Sequence, residues 1–89
     1  MPKTDDIIQV LIVDDEQNIR DGSERILSRV GFEVLKASTG AEALDILAQQ
    51  IIPIVLLDLK MPGMDGVEVL KRAKEMNAGL TVVMMTAYA

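Results

Sequence analysis

Ile7-Ile8-Gln9-Val10-Leu11-Ile12-Val13 is apolar for almost its whole length and then stops on two acids, Asp14-Asp15. Apolar residues at both odd and even positions mark a strand buried on both faces, as in parallel sheets. The arrangement returns twice. Ile54-Val55-Leu56-Leu57 closes on Asp58, and Leu80-Thr81-Val82-Val83-Met84-Met85 closes on the hydroxyl of Thr86. If the three runs are parallel strands, the carboxylates and the hydroxyl leave one edge of one sheet. That edge is where open α/β sheets bind ligands. Three acids converging there point to a divalent cation and phosphate chemistry.

Outward from these runs, strand-like and helix-like segments alternate, the pattern of a mostly parallel sheet covered by helices. The first strand is expected over 8–13 and the first helix over 16–30, with Ile19, Ser23, Ile26, Leu27 and Val30 facing inward. Gly31 is placed to end that helix in a left-handed turn. The segment 32–37 reads as a second strand of mixed polarity, suited to the sheet edge. Thr39-x-x-Glu42 is a capping box opening a second helix, with Ala43, Leu44, Leu47 and Ala48 inward. Pro53 stands at the mouth of the third strand, where its missing N–H does least harm. Lys60-Met61-Pro62-Gly63-Met64 is a loop, with Met61 and Met64 packed beneath it. Asp65-x-x-Glu68 caps a third helix over 66–77, with Val67, Leu70 and Ala73 inward. Gly79 breaks it before a fourth strand over 80–86, whose Met84 and Met85 belong to the core.

Composition narrows the chemistry. Eighty-nine residues, 49% of them hydrophobic, allow one domain, and with one Phe and one Tyr its core is aliphatic. There is no cysteine and no histidine, which excludes disulfides, zinc–thiolate sites and histidine-based catalysis within this sequence. A net charge of −5 argues against nonspecific binding to nucleic acid or anionic membrane. No apolar run approaches the ~20 residues of a membrane span. The opening Met-Pro-Lys-Thr-Asp-Asp lacks the apolar region of a signal peptide. A soluble cytoplasmic domain is expected.

Asp58 lies 43–44 residues beyond Asp15 and Asp14, yet a right-handed βαβαβ path sets the first and third strands side by side. Two carboxylates at ~4 Å repel by about 4 kcal/mol at an effective dielectric near 20. Magnesium offsets this naturally, taking one or two carboxylates, a backbone carbonyl, waters and phosphate oxygens. One carboxylate can then act as a nucleophile toward phosphorus and form an acyl phosphate, with Thr86 hydrogen-bonding the phosphoryl group. Against this stands a plainer reading, in which an acid just after a strand is a turn residue or helix cap. That reading suits Asp65, and Glu16 as an acid favouring a helix N-terminus. It suits less well an acid pair, a third acid and a threonine that all close apolar runs. Lys71, Arg72 and Lys74 read as a solvated face. No GxxxxGK[ST] or GxGxxG occurs, so nucleotide binding has no support.

Val13-Asp14-Asp15-Glu16, the segment Leu56-Leu57-Asp58-Leu59-Lys60-Met61-Pro62-Gly63-Met64-Asp65-Gly66, and Met85-Thr86-Ala87-Tyr88 together resemble a bacterial response-regulator receiver domain. The likeness runs from about Ile8 to Ala89. It implies a flavodoxin-like, doubly wound parallel sheet in the order 2-1-3-4, with strands one to four alternating with helices one to three. It also implies a phosphoacceptor switch fed by a sensor histidine kinase and read by an output domain or downstream protein, without direct nucleic-acid or membrane contact. By resemblance, Asp58 is phosphorylated. Asp15, Asp58 and the main-chain carbonyl of Lys60 bind Mg2+ directly, with Mn2+ able to substitute, while Asp14 acts mainly through water. Thr86 is the switch hydroxyl. Small Ala87 leaves access to the phosphate, beside the loop residues Met61 and Pro62. The flavour of the last two segments resembles receivers attached to transcriptional activators.

The family has five βα units, and residues 1–89 hold three and a half of them. No lysine here matches the one that pairs with the phosphoryl group; Lys60 lies in the loop after Asp58. In the family's order 2-1-3-4-5, the fourth strand becomes an edge that is apolar, uncharged and free of proline, so self-association through it is expected. Two rival readings remain. One is a magnesium-dependent aspartyl-phosphate phosphatase, although those show Asp-x-Asp after the first strand where this sequence has adjacent acids. The other is a phosphorylation-independent interaction module.

Overall fold

The computed structural model describes residues 7–63 and 65–85. The aliphatic runs form the strands β1 (Gln9–Val13), β2 (Glu33–Ala37), β3 (Ile54–Asp58) and β4 (Thr81–Met85). Between them lie the helices α1 (Gln17–Arg29), α2 (Gly40–Gln49) and α3 (Gly66–Met76). All strand pairs are parallel and the order is β2-β1-β3-β4, as expected. The two most buried strands, β1 and β3, sit side by side in the middle. Ile12 lies between Lys36 and Leu56, and Leu56 lies beside Val83.

Strand alternation divides the side chains between two layers. Leu11, Val13, Ala37, Val55 and Leu57 point to one face, where they meet Ala43 and Leu44 of α2 and Val69 and Ala73 of α3 in the main core. Val82 and Met84 of β4 pack against the same cluster. The other face is marked by Lys36, whose ammonium reaches Asp21 at 3.3 Å and Glu24 at 2.7 Å on α1. That bond places α1 across β2 and β1. Val10 and Ile12 are buried there, while Ile54 and Leu56 are half-buried and Val83 is exposed.

The helix ends follow local chemistry. Gly31 has φ +103, and its N–H reaches the Ser28 carbonyl while the Phe32 N–H reaches Leu27. This is the paired bonding of a Schellman turn, for which a residue without Cβ is suited. Thr39 Oγ1 accepts from the Glu42 N–H at 3.0 Å. Glu42 replies to the N–H of Ser38, one residue earlier than a standard capping box has it. Asp65 accepts from the Val67 N–H and so caps α3.

Ala43, Leu44 and Leu47 of α2 and Leu70 and Ala73 of α3 face inward as expected, and each of the three helix faces is corrected in part. Ile26 and Val30 are 66% and 69% exposed, and Ile19 is exposed too, whereas Ser23 and Leu27 are half-buried. Helix α1 is the one helix on its face among the described residues, so the flanks of its apolar stripe have no neighbour to bury them. On α3 the buried positions are Gly66, Val69 and Ala73, and Val67 is exposed. On α2 Ala48 is exposed. No helix among the described residues is long and apolar enough to cross a membrane.

Candidate functional site

Because β1 and β3 are parallel neighbours with Val13 beside Leu57, the residues that follow come out together. Asp14 and Asp15 leave the end of β1, and Asp58 is the last residue of β3. Carboxylate oxygens of Asp14, Asp15 and Asp58 all lie within 4.8 Å of one another. Asp14 and Asp58 are 5% and 8% exposed, while Asp15 faces solvent. The three acids singled out by the sequence therefore form one pocket mouth, lined below by the aliphatic sheet.

Each buried acid is held by the turn that follows its strand. Asp14 Oδ1 accepts from the Glu16 N–H, and Asp58 Oδ1 accepts from the Lys60 N–H, both at 3.0 Å. The Asp14 N–H donates to the Ala37 carbonyl, and the Leu59 N–H donates to the Met85 carbonyl. Both acidic turns are thus tied to neighbouring strands. Burial pushes the Asp14 carboxyl above its ordinary value, opposed by the Glu16 N–H bond and reinforced by the charges of Asp58, Asp15 and Glu16.

The remaining sequence-derived positions fall as follows. Met61 is buried under the loop, as expected, and Pro62 is exposed. The Lys60 backbone belongs to the Asp58 turn. Asp65 is committed to its helix cap. Glu16 occupies the cap position of α1 without a side-chain cap bond, so its carboxylate adds to the negative field at Asp14 and does not cap the helix. Thr86, Ala87 and Met64 lie outside the described residues. A small cavity of about 50 Å³ at the opposite end of the sheet, between Leu47, Ile52, Ala73 and Leu80, has no titratable group in its lining.

Two contributors were not read from the sequence. Arg20 Nη1 donates to the Asp14 carbonyl at 2.8 Å. Gly66 lets α3 start against the loop after β3, since a Cβ there would stand 2.9 Å from Leu59 Cα and 3.2 Å from the Asp58 carbonyl oxygen. The signal for Gly66 was its place right after a helix cap. For Arg20 there was only its position in the first turn of α1.

The donor set is all oxygen, anionic and partly buried, which suits a hard divalent cation. Comparison with known proteins agrees with this chemistry. Residues 10–89 match the family model described as response regulator receiver domain. The chain is 42% identical over 80 residues to sporulation initiation phosphotransferase F of Bacillus subtilis, covering 90% of this chain and 64% of that protein. It is 40% identical over 80 residues to the DNA-binding transcriptional regulator NtrC of Escherichia coli, covering 90% of this chain and 17% of that protein. The chain thus spans under two thirds of the first relative and a small part of the second. The response regulator TrrA of Thermotoga maritima, solved in complex with Mg(2+)-BeF, superposes with a TM-score of 0.89 at 34% identity, covering 93% of this chain and 72% of that one. TrrA has also been solved in complex with the histidine kinase ThkA, with a TM-score of 0.87 over the same shares. With its sheet order, its three clustered acids and a family match over residues 10–89, the chain belongs to the response regulator receiver domains.

Proposed function

We propose that this chain is a phosphoacceptor of two-component signalling, in which Asp58 takes a phosphoryl group from a sensor histidine kinase and passes the change to an output domain or downstream protein. The observation that carries the proposal is the convergence of Asp14, Asp15 and Asp58 at the carboxyl ends of adjacent parallel strands in a receiver-domain chain. The complexes of TrrA with Mg(2+)-BeF and with a histidine kinase support it by similarity.

Asp58 is the nucleophile of this reading. Its Oδ1 is engaged by the Lys60 N–H, which leaves the second oxygen to attack phosphorus. An O–P bond forms as the P–N bond of a phosphohistidine breaks, and the departing nitrogen keeps the electron pair and takes up a proton. The product is an acyl phosphate. Attack of water on phosphorus cleaves the new P–O bond and restores the carboxylate. The chain thereby assists its own phosphorylation and dephosphorylation, as a signalling acceptor and not a turnover enzyme.

Asp15, Asp58 and the Lys60 carbonyl would hold Mg2+, or Mn2+ in its place, with Asp14 acting through water. The fit rests on the donor chemistry and on three carboxylates whose oxygens lie within 4.8 Å of one another, two of them buried. When bound, the ion neutralises phosphoryl oxygens, which is most of what phosphoryl transfer asks of a protein. Thr86 is the hydroxyl that engages the phosphoryl group, and Ala87, with Met61 and Pro62, leaves the site open. The cytoplasm, where such kinases deliver phosphate, is the compartment this role requires. Among the described residues β4 pairs only with β3, and its outer edge supports self-association, which a mass independent of concentration in light scattering would refute.

The test uses acetyl phosphate and MgCl2 with intact-mass detection. The wild-type chain is expected to gain one phosphoryl group that hydroxylamine removes, and Asp58→Asn to gain none. Equal labelling of both chains, or none of the wild type, overturns the proposal. Sustained turnover of phosphate monoesters would favour the phosphatase instead.

A further inference from the structure

The connection from β1 to α1 carries two of the three acids, and one side chain closes it. Asp14 is pinned at its N–H by the Ala37 carbonyl and at Oδ1 by the Glu16 N–H. Its carbonyl accepts from Arg20 Nη1 at 2.8 Å. Arg20 is fixed in turn, since its own N–H bonds the Glu16 carbonyl at 3.1 Å in the first turn of α1. Backbone and guanidinium of one half-buried residue therefore clamp both ends of the 14–16 segment.

The Asp14 carbonyl shares a rigid peptide plane with the N–H of Asp15. Setting the direction of that carbonyl sets the plane from which Asp15 leaves. Asp15 needs such help, because its carboxylate is exposed and has no hydrogen-bond donor among the described residues. Asp14 and Asp58 are each oriented by a turn N–H, whereas among the described residues Asp15 has only its backbone to aim it.

We propose that Arg20 is a positioning residue for the cation site: by holding the Asp14 carbonyl it aims the Asp15 carboxylate at the ion. The inference rests on the functional reading above. It also carries a sign that separates it from simple electrostatics. Removing a positive charge near an acidic pocket favours cation binding on charge grounds alone. Loss of positioning does the opposite, and partners that orient metal ligands are commonly worth roughly 10–100-fold in affinity. Because Arg20 acts through the backbone, the lower end applies.

The experiment is a Mg2+ titration of the 89-residue chain followed by amide NMR, with thermal unfolding in EDTA as the fold control. Arg20→Met is compared with Arg72→Met, which removes the same charge from an exposed pair with Glu68 on α3. The expected result is roughly ten-fold weaker Mg2+ binding in Arg20→Met, with Arg72→Met at or slightly above wild-type affinity. Arg20→Met binding as tightly as wild type, or tighter, overturns the inference and leaves the phosphoacceptor reading intact. A wild-type chain indifferent to Mg2+ removes the reading and the inference together. Should Arg20→Met not fold, Arg20→Ala decides, because alanine keeps the helix and removes the donor to the Asp14 carbonyl. Weaker binding then supports the role, and wild-type affinity ends it.

Discussion

Asp14→Asn should stabilise this chain in the absence of divalent cations and lose that advantage when Mg2+ is supplied. The substitution keeps an oxygen to accept the Glu16 N–H and removes one of three charges whose oxygens lie within 4.8 Å. At that separation one pair of carboxylates repels by about 3.5 kcal/mol at an effective dielectric of 20. Solvent at the pocket mouth and salt reduce this, and a net gain of about 2 kcal/mol is expected. For a domain of this size that is a rise in Tm of roughly 8–16 °C.

The pH dependence gives the sign a second check. The native state holds the Asp14 proton more tightly than the unfolded chain, because its carboxyl is pushed up. Wild-type stability should therefore fall as pH rises from the ordinary carboxylate value through the raised one, and stay low above it. Asp14→Asn lacks that fall, so the difference opens across this window and is complete above the raised value. Urea unfolding in EDTA, from acid to neutral pH, reads it directly. With saturating Mg2+ the wild-type chain is stabilised by ligand binding, and the gap narrows or reverses. An Asn variant less stable than wild type in EDTA, or one whose advantage persists unchanged in Mg2+, refutes the reasoning.

Gly66→Ala should destabilise by about 1–3 kcal/mol, as overpacking does, because the new methyl meets backbone atoms, Leu59 Cα at 2.9 Å and the Asp58 carbonyl oxygen at 3.2 Å, as well as the Leu59 side chain. Amide shifts spreading into the Asp58 turn would report the same displacement, and an unchanged melting curve would contradict it. Gly22→Ala, within α1 and with no atom within 4 Å of the added Cβ, should raise stability by about 0.5–1 kcal/mol. A loss of stability on denaturant unfolding would show that α1 packs otherwise.

What the sequence made legible and what it hid divide along a physical line. The strand order rests on the family resemblance, while the Gly31 turn, the Thr39 and Asp65 caps and the convergence of three acids rest on local residue types and on chain topology. Helix faces do not. A stripe such as Ile19, Ile26 and Val30 says which side is apolar, but burying its flanks needs a second helix alongside, and the described residues place none beside α1. On α3 the true inward row is Gly66, Val69, Leu70 and Ala73. Its first member has no side chain, so the row is easily mistaken for the neighbouring one through Val67. Arg20 was hidden for another reason. Its target is a main-chain carbonyl, and no residue type marks a carbonyl in need of a donor.

The plain and the functional readings of these acids turn out not to compete. Asp14 and Asp58 are both turn residues in the ordinary sense, each spending Oδ1 on the N–H two positions on. An asparagine serves that purpose equally well and would spare the fold the repulsion at the pocket mouth. Turn chemistry thus explains an oxygen at each position and leaves the charge unexplained. It leaves Asp15 unexplained altogether, since that carboxylate joins no turn and no cap among the described residues. Three charges kept where two neutral amides would hold the backbone are a standing cost to the chain without cation, and the cation of the proposed function would remove it. Stability measured with and without Mg2+ is therefore a test of function, carried out on the fold.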